Sequence, residues 1–145
     1  SIFWQRRPAL RNKIVFALLV LGAAASLRAH HSTTAVFDVA KRVTVTGTLT
    51  KVDWVNPHIV VLVEAKGNNG NVDAWRFESN PPSWFRRVSV GRQDLTKAIG
   101  QTAVVEANPA KDGTLYAYLV RIKYPDGTSL EIVPEQSGKQ ETAAK

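Results

Sequence analysis

Neither cysteine nor methionine occurs anywhere in this chain of 145 residues. Without cysteine there is no disulfide framework, no thiolate metal site and no cysteine nucleophile, so a metal would have to be held by histidine and carboxylate alone. Catalytic signatures are missing as well: the sequence contains no Gly-x-Ser-x-Gly, no His-Glu-x-x-His and no glycine-rich phosphate loop. Glu64, Glu78 and Glu106 stand singly in strand-like segments, where spacing assigns them no partner, and they read as solvent-facing. These absences argue against an enzyme. The apolar stretch near the start is also too brief for a comfortable membrane span. Carried from Ile14 to Ala29 it covers about 16 residues, about 24 Å as a helix against a hydrocarbon core of about 30 Å.

A basic flank of Arg6, Arg7, Arg11 and Lys13 precedes that stretch, as in membrane-inserting leaders whose N-terminus stays in the cytoplasm. Ala23 and Ala25 form a small-x-small cleavage site before Ser26, and Ala29 offers a poorer one. The chain begins at Ser1, and a small residue there permits removal of an initiator Met. The expectation is therefore a retained anchor or uncleaved signal over residues 1–29, touching lipid through residues 14–29. The rest would then sit on the periplasmic side of a bacterial inner membrane. Cleavage would instead leave a soluble periplasmic domain.

Nineteen basic residues stand against twelve acidic ones, a balance that first suggests a nucleic-acid partner. Position removes that reading. Five of the basic residues and none of the acidic ones precede His30, which leaves fourteen against twelve, a net +2, in the remainder. No nucleic acid is expected.

Beyond the leader, residues 30–42 show no sustained period and read as an extended linker over the surface. The segment 43–54 alternates apolar and polar residues, is rich in β-branched types and carries Gly47 where a bend or close approach fits. Further strands are expected over 59–65, 72–78, 102–107 and 114–124, with a hairpin returning 129–133. Pro81 and Pro82 stop the third strand. Short helices are then expected over 83–87 and 92–99, the second ended by Gly100. Three strands, a helical connection and two more strands are the element order of a mainly β, OB-like Greek-key barrel over residues 43–133, with a β-sandwich as the alternative. Its expected core is Leu49, Val52, Trp54, Val61, Val63, Trp75, Phe77, Val104 and Leu119. A polar tail follows over 134–145.

The sequence also resembles a known family. His30-His-Ser, Val45-Thr-Gly-Thr-Leu-Thr-Lys-Val-Asp-Trp54, Asn56-Pro-His58, Trp75-Arg-Phe-Glu78 and Ala110-Lys-Asp-Gly113 together resemble the small exported bacterial proteins of domain of unknown function 6152. The likeness implies a shared pattern of His30, His31 and His58 and brings no activity with it.

Those three histidines are the candidate metal ligands. If His30 were exposed as an N-terminus, its amine and imidazole, with His31 or His58, would make a nitrogen-rich copper site, and Asp38 or Asp53 would add a carboxylate suited to zinc. The plainer reading makes the adjacent pair solvated polar residues, with His58 supporting the Asn56-Pro57 turn. Trp84, Phe85, Arg86 and Arg87 form the candidate interaction group, an exposed aromatic and arginine anchor of the kind found at interface hot spots and at headgroups. The function expected is a non-catalytic accessory or stabilising subunit of an inner-membrane complex, respiratory or photosynthetic, with no cofactor and with other subunits as partners. A free periplasmic copper protein is the alternative. A third reading is an oligosaccharide- or peptide-binding module.

Overall fold

The structure is a computed structural model and describes residues 33–132. Six strands, β1 Val43–Asp53, β2 Val60–Lys66, β3 Val72–Glu78, β4 Thr102–Pro109, β5 Tyr116–Lys123 and β6 Ser129–Glu131, lie in the order β3-β2-β1-β4-β5-β6. A parallel pairing of β3 with β5 closes the first five into a mixed barrel with the expected OB-like connectivity. Helices α1 Thr33–Val36, α2 Pro82–Arg87 and α3 Arg92–Thr96 are each a turn or so long. Among the described residues no helix is long and apolar enough to cross a membrane. The anchor segment, its basic flank, His30, His31 and the polar tail lie outside the described residues.

Closure depends on β1 serving two neighbours. Its first half pairs with β4 and its second with β2, and Gly47 belongs to both ladders, opposite Ala103 and Ala65. A Cβ on Gly47 would meet the Glu64 carbonyl oxygen at 2.3 Å and Val63 Cγ1 at 2.8 Å, so only glycine permits that approach. Three residues further on, the register with β2 slips by one residue at Thr50, which bends the strand.

Alternation places Leu49, Val52, Val61, Val63, Phe77 and Leu119 in the buried interior as expected. Three expectations need correction. Val104 is only half-buried, and Ala103, Val105 and Ala107 take the interior positions of β4. The consecutive apolar residues 103–105 fit either phase, and the ladder with β1 sets Ala103, Val105 and Ala107 against Gly47, Val45 and Val43. Trp54 and Trp75 are half-buried and pack on the core from its margin. The linker does not run wholly over the surface either. Phe37, 2% exposed, bridges to Ala110, and its ring lies against Tyr116 and Tyr118 at centroid distances of 5.0 and 5.6 Å.

The connection between β3 and β4 caps the barrel. Pro82 begins α2, where a missing N–H costs nothing, and Phe85 and Leu95 are fully buried beneath the helices. Regular helix ends at Thr96, earlier than Ile99, because the chain tightens into an Ile99 N–H to Thr96 carbonyl bond and turns back to β1. Gly100, at φ +83°, makes that turn and donates to the Leu49 carbonyl at 2.8 Å.

Candidate functional site

The loop between β1 and β2 folds over the end of β3. Its Ile59 N–H donates to the Asn80 carbonyl at 3.2 Å and its Ile59 carbonyl accepts from Ser79 N–H at 2.8 Å. The Asn56–Pro57 peptide in the loop is cis. Between loop and strand lies a cleft of about 290 Å³ lined by Asp53, Val55, His58, Arg76 and Glu78 among others.

Glu78 is the centre of this cleft. His58 Nδ1 sits 2.5 Å from Glu78 Oε1, and the Tyr116 hydroxyl donates to Glu78 Oε2. Because the carboxylate only accepts, His58 Nδ1 is the donor of this contact, and Nε2 takes no part in it. One layer deeper the buried Tyr118 hydroxyl donates to Asn80 Oδ1, and the Asn80 side chain lies within a residue that is only 2% exposed. The parallel register sets this up by placing Arg76 opposite Tyr116 and Glu78 opposite Tyr118. Arg76 lies over the Tyr116 ring, 5.4 Å from its centroid. Asp53, also on the wall, pairs with Lys51 at 2.7 Å. The buried Ser79 hydroxyl has no hydrogen-bond partner among the described residues.

A second hollow of about 200 Å³ lies beside Lys97, Tyr124 and Asp126. Its groups are engaged with one another: Lys97 Nζ reaches Thr128 at 2.8 Å and Asp126 at 3.2 Å, and lies 4.2 Å from the Tyr124 ring centroid. Burial, with Asp94 and Asp126 nearby, pushes the Tyr124 phenol far above its ordinary range, so it stays neutral and donates to the Asp94 carbonyl at 2.8 Å. This cluster ties α3 to the turn after β5.

The expected site residues separate. His58 faces Glu78 across the cleft instead of simply supporting its turn, while His30 and His31 lie outside the described residues. Among the described residues no group of three histidine or carboxylate side chains is placed to hold a metal ion. In the interaction group, Phe85 is fully buried and so is no exposed anchor: the turn that follows Pro82 aims it into the barrel, where Trp54 and Trp84 pack around it at 5.4 and 5.0 Å. Trp84 is half-buried, and Arg86 and Arg87 are exposed.

Glu78, Arg76 and Tyr116 were not singled out as site residues, and the reading of Glu78 as a solvent-facing carboxylate is corrected by its two partners. For Arg76 and Glu78 the sequence signal is the segment Trp75-Arg-Phe-Glu78, which the family resemblance includes, and Tyr116 lies outside every segment that carries it.

Fold and site together define a small closed β barrel with a polar cleft at the β1–β2 loop. The chain belongs to a family of unknown function, DUF6152, whose pattern it matches over residues 17–118. No curated protein and no solved structure matches the chain.

Proposed function

We propose that the chain is a non-catalytic accessory subunit of a bacterial inner-membrane complex, tethered through residues 14–29, with its barrel in the periplasm and docked on its partner by the cleft face. The observation that carries this reading is the make-up of the cleft rim. Val55 on the cleft wall is 55% exposed, and Leu115, 39% exposed, adjoins it in the fold through its carbonyl, which accepts from the Arg76 N–H at 2.9 Å. Exposed apolar side chains beside an arginine laid on a tyrosine are the composition of a protein interface centre. The His58–Glu78–Tyr116 bonds hold that surface in one shape before docking, which lowers the ordering cost of association. Purification from native membranes in a mild non-ionic detergent is the test. The chain should migrate with other membrane subunits in fixed stoichiometry and resist extraction by high salt. Release by salt alone would end the tethered reading.

A second reading rests on the carboxylate behind His58. A metal-binding imidazole commonly donates its other N–H to a carboxylate, and Glu78 offers that arrangement with Nε2 left free. His30 and His31 would then supply the remaining nitrogens for copper. Stoichiometric copper in the native protein, lost in His58→Ala, would favour this reading over the first.

A further inference from the structure

We propose that the cleft is a carboxylate-binding site with Arg76 as its principal donor. The acceptors on its walls already have partners: Asp53 takes Lys51 at 2.7 Å, and Glu78 takes His58 at one oxygen and Tyr116 at the other. Arg76 is the opposite case. It is exposed and makes no ion pair or side-chain hydrogen bond among the described residues, and its guanidinium is positioned by the face of the Tyr116 ring. Stacking on a ring orients a guanidinium without using its N–H groups, so a planar fork of donors is held ready in a cleft of about 290 Å³. A carboxylate matches that fork with two parallel hydrogen bonds.

The walls also select against more highly charged anions. Glu78 and Asp53 line the same cleft, so a phosphate dianion would meet two like charges where a carboxylate brings only one unit of its own. His58 Nε2, on the loop side of the cleft, adds a further polar contact to whatever the carboxylate is attached to.

This inference rests on the docking reading only for the source of the carboxylate, which would be an acidic side chain or C-terminus of the partner subunit. The site itself is tested with the full chain in non-ionic detergent, following the His58 ring resonances by NMR, with His58→Asn to assign them. Acetate should shift these resonances saturably, and chloride at equal ionic strength should not. Arg76→Ala should weaken acetate binding about tenfold or more, as expected for loss of a charge-assisted pair, with an unchanged melting transition, and Arg76→Lys should fall between. An absent or non-saturable acetate response, phosphate binding tighter than acetate, or Arg76→Ala binding acetate as well as the parent chain would each overturn the site. Native complexes carrying Arg76→Ala separate the two ideas. Loss of the partner supports a carboxylate on that subunit. Acetate binding by the parent chain, with assembly unaffected in Arg76→Ala, assigns the site to a free small carboxylate. A parent chain that binds no acetate while the Arg76→Ala complex stays intact removes the carboxylate site and leaves docking standing.

Discussion

The barrel contains two packed clusters, and they are built by different means. The larger takes alternate residues from every barrel strand, Leu49, Val61, Phe77, Val105 and Leu119 among them, with Phe85 and Leu95 pressed in from the capping helices. Its fully buried large members are aliphatic or phenylalanine, and Tyr124 is its one buried tyrosine. The smaller consists of Phe37, Ala110 and Tyr118 with half-buried Tyr116, and its rings arrive from two places far apart in the chain. Each tyrosine there packs a ring inward and extends its hydroxyl to a polar group of β3 or just beyond it, Glu78 for Tyr116 and Asn80 for Tyr118. The larger cluster therefore supplies burial, and the smaller one converts packing into the position of a carboxylate. The cleft owes its geometry to the second.

Substitutions should separate these roles. Phe77→Ala, deep in the larger cluster, is expected to cost about 3–5 kcal/mol, read from chemical denaturation of the full chain in detergent. Trp75→Ala should cost less than Phe77→Ala, since that ring stacks on Phe77 at 5.7 Å from a half-buried position. Equal losses would place Trp75 inside the core after all.

Phe37→Ala should sit at the low end of the same range, about 3 kcal/mol, because the smaller cluster has room to relax. It should also displace the His58 ring resonances, which Phe77→Ala leaves nearer their original positions for a given loss of stability. A Phe37 variant that loses stability without any change at His58 would break the link between ring packing and site geometry.

Tyr116→Phe keeps the ring and removes the hydroxyl, leaving one Glu78 oxygen without its donor. A loss of about 1–2 kcal/mol is expected. A neutral result would show that water replaces the hydroxyl and that the ring alone matters.

The smallest effect belongs to Asp126, outside both clusters. The Thr128 hydroxyl and N–H, with Lys97 adding, hold its carboxyl below the ordinary carboxylate range. A lowered folded-state value means that its contribution is present above the ordinary carboxylate value and is lost as pH falls through the lowered one. The stability gap between the parent chain and Asp126→Asn should therefore be visible at neutral pH and close in acid. A gap that widens in acid would contradict the sign.

Much of the barrel was legible because local rules and global packing agree along it. The period of two in β1, the glycine at its crossing and the paired prolines after β3 each reflect a backbone requirement that acts within a few residues. Where three apolar residues run together, at 103–105, the pattern fits both faces, and only the register with β1, which sets Val105 against buried Val45 and Val104 against exposed Thr46, decides that Val105 points in and Val104 does not. Phe85 was misread for a similar reason: one helical turn presents its side chains on every side, and exposure depends on what the turn is laid against. The site was legible only in fragments. His58 stood out as one of three histidines, but Glu78 and Tyr116 are separated by 38 positions in sequence.

By itself the sequence determined the succession of strands and helices along the chain, the bent first strand and the helical cap, since hydrophobic period, glycine and proline act through local sterics and burial. Only the tertiary structure decided that His58, Arg76 and Glu78 share one cleft and that Tyr116 meets Glu78 and Arg76 there. That meeting depends on β5 lying parallel to β3 in a register that sets Arg76 against Tyr116. A parallel contact between strands so far apart is chosen by barrel closure as a whole, and no neighbouring residue records it.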